Sequence, residues 1–479
     1  MWISRLFILP LLAAAALSVT AIGCGSDEDG SGGSAGSGGS SSSSGTGGSS
    51  SSTSSSGTGG DGGAGAASAL PAAGLFLTVD DLARAIERSQ SDAEPFATGY
   101  SHQSGRADNA LSETADPFHM TDVLDITFGW CSDGTPNVDD TLKEATEDYS
   151  HDGNLMRVLA LQYALTGESS YGDKAVELMT AWAADFTEIN LYDFAIDFDT
   201  ATITGMTDGY CSDRPWNFAL DAMWQTYGLI NTADAYLLLS RNGYVFDSAD
   251  EQAIRDLILR VTEAVNSSFH AWTRWADAHP SSSSFERYRA DNHLSWCLAG
   301  LLAGAAALQD DALAAYVLTG GSWTDSQAGP YENPSHVRDV IDRAIESGTG
   351  EDNEGRVYEE LILRDPPIGY SFFHLWALGL TARIAEVHYG DDVWSFVGTD
   401  GGGLELAYER YVAFMLGERQ SPEPQQEGDL TASSWQYELV YRRWPTDRFQ
   451  EAIEVTSRNA FILQSIGPVT FLLGEELPN

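Results

Sequence analysis

Arg289-Ala290-Asp291-Asn292-His293-Leu294-Ser295-Trp296 closes a polar, serine-rich loop and opens a long apolar segment. Leu294, Cys297, Leu298, Leu301, Leu302, Ala305 and Leu308 follow at intervals of three and four, the spacing of one helix face. Asp291 stands where an N-cap belongs, its carboxylate placed to accept the free backbone N–H groups of the first turn. His293 then falls in that first turn, where the helix dipole disfavours the imidazolium. A neutral ring at such a place can exchange a proton or hold a ligand. It can equally do no more than bond to a neighbouring loop, so other parts of the chain have to decide.

Outward from this point the chain reads as helices with little strand signal. Thr78-Val79-Asp80-Asp81 has the form of a capping box, and amphipathic helices are expected over 152–165, from 170, over 217–240 and over 248–269. Beyond the His293 helix, weaker patterns lie at 310–318 and 336–347, with stronger ones at 371–388 and 404–416. The stretch 435–466 gives no clear pattern. Helical hairpins without strands imply an all-α solenoid or a closed (α/α) toroid of six or seven hairpins. Counted alternately, the helices starting near 152, 217, 293 and 371 form one parallel inner set. Asn217, His293 and Tyr370 then share one rim.

The amino-terminal part is of a different kind. Arg5 precedes an apolar run that ends at Gly23-Cys24, the form of an export signal. Ala21-Ile22-Gly23-Cys24 resembles a bacterial lipobox, so residues 1–24 read as a lipoprotein signal with Cys24 lipidated, anchoring the chain at the cell envelope. Residues 25–70 are Gly/Ser-rich and suit a disordered tether. One large domain is expected over 71–420, with 421–479 an extension packed on it. The net charge of −45, from 70 acidic and 25 basic residues, argues against nucleic acid as a partner. Cys131 and Cys211 both lie in turn-like loops and are the expected disulfide, leaving Cys297 a buried thiol. No zinc spacing occurs, the acidic loop from Asp193 to Asp213 lacks calcium-loop spacing, and neither metal nor cofactor is expected. The protein is expected to be a monomer.

A second informative stretch is Glu360-Leu361-Ile362-Leu363-Arg364-Asp365-Pro366-Pro367-Ile368-Gly369-Tyr370. Its prolines point to a rigid loop leading into the helix at Ser371. Tyr370 there could exchange a proton if cations lower its pKa from about 10, with Arg364 or Arg289 as the cation.

In order along the chain, three segments resemble the alginate lyase superfamily of polysaccharide lyases. They are 159–182 with its Leu165-Thr166-Gly167-Glu168 turn, Asp291-Asn292-His293 with Trp296, and Glu360-Leu361, Arg364 and Tyr370-Ser371. The resemblance implies an (α/α) toroid whose groove cuts an alginate-like or glucuronan-like uronate polymer by β-elimination. Tyr370 would be base and acid, with His293, Asn292 and Arg364 stabilising the substrate carboxylate. Asn217, Arg287, Arg289 and Trp296 would bind the chain. The sequence departs from the family at Gly369, where histidine is common. Two rivals stand beside this reading: a hydrolase on a similar scaffold using two carboxylates, and a glycan-binding lipoprotein without activity.

Overall fold

Thr78 starts the first helix, α1 (Val79–Arg88), with the reciprocal bonds of a capping box. The Thr78 hydroxyl accepts from the Asp81 backbone at 3.1 Å, and the Asp81 carboxylate accepts from the Thr78 backbone at 3.0 Å. The computed structural model describes residues 69–117, 141–193, 196–197, 202–203, 216–278, 290–326, 329–348, 354–357, 367–422 and 428–478. The tether, Cys24 and both cysteines of the expected disulfide lie outside them.

Thirteen more helices follow among the described residues. They are α2 (Phe96–Ala110), α3 (Thr141–Thr166), α4 (Ser169–Asp185), α5 (Trp216–Arg241), α6 (Ser248–Ala278), α7 (Asn292–Leu308), α8 (Asp311–Thr319), α9 (Val337–Ala344), α10 (Pro367–Tyr389), α11 (Leu404–Met415), α12 (Gln436–Arg443), α13 (Asp447–Glu454) and α14 (Val469–Leu473). Among the described residues, strand is confined to three two-stranded antiparallel ladders and three isolated bridges. The one at Ser322–Asp325 and Gly329–Glu332 turns Trp323 and Asp325 inward. None of the described helices is long and apolar enough to cross a membrane.

The long helices sort into two directions. Tyr149 and Gly153 on α3 meet Gly228 on α5, and Met156 meets Thr232 one turn further along both, so α3 and α5 are parallel. Phe373 packs on Trp224 near the starts of α10 and α5, while His388 and Arg241 bond at their ends. Those two helices are also parallel. Against α7, by contrast, α6 runs backwards: Arg255 bonds the Ala307 and Leu308 carbonyls, Thr262 faces Gly304, and Trp272 stacks on His293. Glycine permits the closest approaches. A Cβ on Gly228 would lie 2.1 Å from the Tyr149 ring, and one on Gly304 2.3 Å from the Thr262 hydroxyl. α7 is buried along its whole length from Asn292 to Ala307. Cys297 lies there as a free thiol, its pKa pushed up by burial and then by Asp291.

The last segments close on the first. Arg442 of α12 and Arg383 of α10 both donate to Asp81, at 2.8 and 2.6 Å, and Arg88 of α1 donates to the Phe471 and Gly474 carbonyls. Burial pushes the Asp81 carboxyl up, but Arg442, Arg383 and the Thr78 bonds outweigh it and hold the pKa below the ordinary value. The incoming segment 72–77 crosses the C-terminal ends of α5 and α10. There Leu75 donates to Asp234 at 2.8 Å, Asn242 donates to Ala73, and His388 bonds the Gly74 and Leu75 carbonyls.

Candidate active site

Asp291 is the N-cap of α7, as its position in the sequence implied: one carboxylate oxygen accepts from the Leu294 backbone at 3.2 Å. The other oxygen lies 2.6 Å from His293 Nδ1. The imidazole also stacks flat on Trp272, with ring centres 4.9 Å apart and planes 9° apart. The ring is thus held on one edge and one face, and Nε2 makes no hydrogen bond among the described residues. Two residues on, the Ser295 hydroxyl and His374 Nε2 are bonded at 2.8 Å, which ties α7 to α10.

Tyr370 stands one helical turn before His374. Its helix begins earlier than expected, at Pro367 rather than Ser371, so Tyr370 belongs to the first turn and not to a preceding loop. Proline suits the first helical position because the missing N–H would have had no partner there. With four residues spanning about 6 Å of helix, His293 and Tyr370 both lie within roughly a turn of the Ser295–His374 bond, at the same end of two neighbouring helices. Tyr370 is 6 % exposed and His293 4 % exposed.

Asn292 is the first residue of α7 and is buried. Asn217 is the second residue of α5, and its side chain lies outside the described residues. Arg287, Arg289 and Arg364 are outside them as well. Trp296 requires a correction. It was expected to stack on sugar, but it is fully buried among Tyr227, Phe373 and Trp376, with ring centres 4.7 to 5.2 Å away. Nearly one turn beyond His293 on the helix, it lies inside the core.

Sequence reasoning missed His374 and the place of Trp272 against the His293 ring. His374 could have been found as the residue one turn beyond Tyr370, on the same face. Trp272 carries no local signal, because a different helix brings it to His293. A buried polar chain also passes through α6. Tyr316 donates to Asn266 Oδ1 at 3.0 Å, so it accepts from His270 Nε2–H at 3.1 Å. His270 Nδ1 is then the acceptor for the Tyr192 hydroxyl, and Asn266 passes the chain on to Asp325 at 2.9 Å. Burial, and secondarily Arg274, push the His270 pKa down to about 3, so the ring stays neutral.

The cavity of about 260 Å³ lined by Arg84, Arg383, Arg442 and Arg443 is a separate feature. Arg383 lies thirteen residues beyond Tyr370 on α10, roughly 20 Å along the helix. Its arginines are engaged by Asp81, Glu386 and Asp392.

The alginate lyase family model matches residues 98–421, two thirds of the chain. The chain belongs to the alginate lyase family. It is therefore a polysaccharide lyase, and the hydrolase and the inactive binder are set aside. Solved structures agree on the fold. An alginate lyase from Bacteroides ovatus aligns with a TM-score of 0.56 at 17 % identity, covering 84 % of this chain and 99 % of that one. Alginate lyase A1-III from Sphingomonas species A1 aligns at 0.54 and 15 % identity, covering 86 % and 98 %. A histidine-to-alanine variant of A1-III, complexed with a tetrasaccharide, aligns at 0.54 and 14 % identity over 86 % of this chain and 98 % of that one. No curated protein sequence is significantly similar to this lyase. The match ends at residue 421, so α12 and α14, which close onto α1, and α13 between them lie beyond the family region.

Proposed function

We propose that this lyase cleaves a uronate-containing polysaccharide, alginate-like or glucuronan-like, by β-elimination with Tyr370 as base and acid. The Tyr370 oxygen takes the proton from C5, the C5 electron pair forms the C4–C5 double bond, and the C4–O bond breaks. The same hydroxyl then returns a proton to the departing oxygen. His293, Asn292 and Arg364 offset the charge that builds on the neighbouring carboxylate. The observation that carries the reading is the Ser295–His374 bond, which joins the two helices whose first turns bear His293 and Tyr370. The A1-III relative offers a parallel, since its tetrasaccharide complexes are of a histidine-to-alanine and a tyrosine-to-phenylalanine variant.

A panel of polyuronates tests the proposal. Cleavage should generate the ultraviolet absorbance of an unsaturated uronate on at least one of them. Tyr370→Phe should lower kcat by a factor on the order of 10³ with folding intact, since it removes the exchangeable proton and keeps the ring. Arg364→Ala should weaken both binding and turnover. Reducing ends without absorbance would overturn the mechanism.

Envelope anchoring through Cys24 and a Cys131–Cys211 disulfide are also proposed, on the lipobox-like tetrapeptide and the loop contexts. Intact mass of the mature chain and non-reducing peptide mapping test them.

A further inference from the structure

The contact between Asp291 and His293 has a role that helix capping does not explain. We propose that Asp291 is a positioning residue which fixes the tautomer and aim of the His293 ring for the elimination; this rests on the function proposed above. Asp291 is fully buried, and its two oxygens have separate tasks, one taking the Leu294 N–H and the other lying 2.6 Å from His293 Nδ1. A carboxylate can only accept, so Nδ1 must carry the proton. Nε2 is then the one ring nitrogen left to act. It makes no hydrogen bond among the described residues, and it is not sealed in as a buried unpaired atom.

Trp272 completes the hold. Stacking on one face stops the ring from tilting, and the carboxylate stops it from flipping to exchange its two nitrogens. When Nε2 takes a proton or donates one to a substrate carboxylate, the Asp291 charge balances the ring without any rearrangement. An electrostatic partner that is already in place costs nothing at the moment of reaction. The family segment that this stretch resembles reads Asn-Asn-His. An asparagine in the first place can cap the helix equally well but brings no charge. The substitution Asp291→Asn therefore separates the two roles.

The experiment compares wild type, Asp291→Asn and His293→Ala, with ¹⁵N-histidine NMR of the free protein and steady-state kinetics on the cleaved polyuronate. His293→Ala identifies the resonances. In wild type His293 should appear as the Nδ1–H form, and in Asp291→Asn that form should lose its dominance. The variant should keep its thermal midpoint, because asparagine caps as well as aspartate does. Its kcat should fall at least tenfold with KM little changed, and the acid limb of its pH profile should move.

A wild-type ring carrying its proton on Nε2 would overturn the proposal whatever the activity. So would an Asp291→Asn enzyme with wild-type kcat and pH profile, or one whose only defect is a lower thermal midpoint. Absence of cleavage by wild type on every polyuronate would instead overturn the proposed function. The tautomer measurement would still decide whether Asp291 sets the ring.

Discussion

Replacing Asp81 by asparagine removes a carboxylate shared by α1, α10 and α12. Arg383 and Arg442 both donate to it, and their side chains are only 6 % and 19 % exposed. Leaving two largely buried guanidiniums short of a partner should cost about 3 kcal/mol, the lower part of the range for a broken buried pair, because Arg383 keeps Glu386. The weakened capping box adds about 1 kcal/mol. With an unfolding entropy of about 2 cal/mol/K per residue over roughly 400 residues, a loss of about 4 kcal/mol lowers the midpoint by about 5 °C. The pH dependence has a definite sign. The folded-state pKa of Asp81 lies below the ordinary carboxyl value of 3.8, so its stabilisation is present above that value and is lost as pH falls through the folded pKa. Calorimetry of both proteins should show the full gap at neutral pH and a closing gap in acid. Adding Arg383→Met to Asp81→Asn should recover part of the loss, since it removes an uncompensated charge. A neutral-pH gap below about 1 kcal/mol, or one that does not change in acid, would refute the reasoning.

Gly228→Ala should lower stability by about 3 kcal/mol or more, because its Cβ would sit 2.1 Å from the fully buried Tyr149 ring; denaturant midpoints measure this. Trp296→Ala should cost about 3–5 kcal/mol as a core truncation, while KM for the polymer measured below the melting range stays near wild type. Burial raises the Asp234 carboxyl to about 6, against Arg157 and the Leu75 N–H, which lower it. Its folded pKa lies above the unfolded one, so its contribution is present below about pH 4 and is lost as pH rises through about 6. The stability of wild type relative to Asp234→Asn should therefore fall by about 2–3 kcal/mol between those limits, as read by urea unfolding across pH.

Much of the architecture was written locally. Thr78 with Asp81, and Asp291, each open a helix through a side chain that sequence spacing already marked, whereas the cap made by Asp310 was not read from the sequence. Periodicity placed α5, α7 and the start of α4 to within a residue or two, and the alternation of directions gave a parallel set of the helices near 152, 217, 293 and 371, of which α3, α5 and α10 are seen to run parallel. α2 was not foreseen, because its sequence holds two glycines and scattered polar residues and depends on packing against α3 and α14. The strands near Trp323 are too short to show a period. In the site, His293 and Tyr370 were legible because each opens a helix within a recognisable motif. Trp272 was not, since only the antiparallel path of α6 brings it beneath the imidazole. Trp296 misled because, one turn deeper along α7 than His293, it is enclosed by Tyr227, Phe373 and Trp376 from the neighbouring helices.

Residues 72–77 cross the C-terminal ends of α5 and α10, whereas Tyr370 opens α10 at its other end. α10 has 23 residues, so those two ends lie roughly 34 Å apart. The polypeptide thus enters the helical body on the side away from His293 and Tyr370. An attachment made through that segment would therefore lie away from the two candidate residues and leave them open to a polymer.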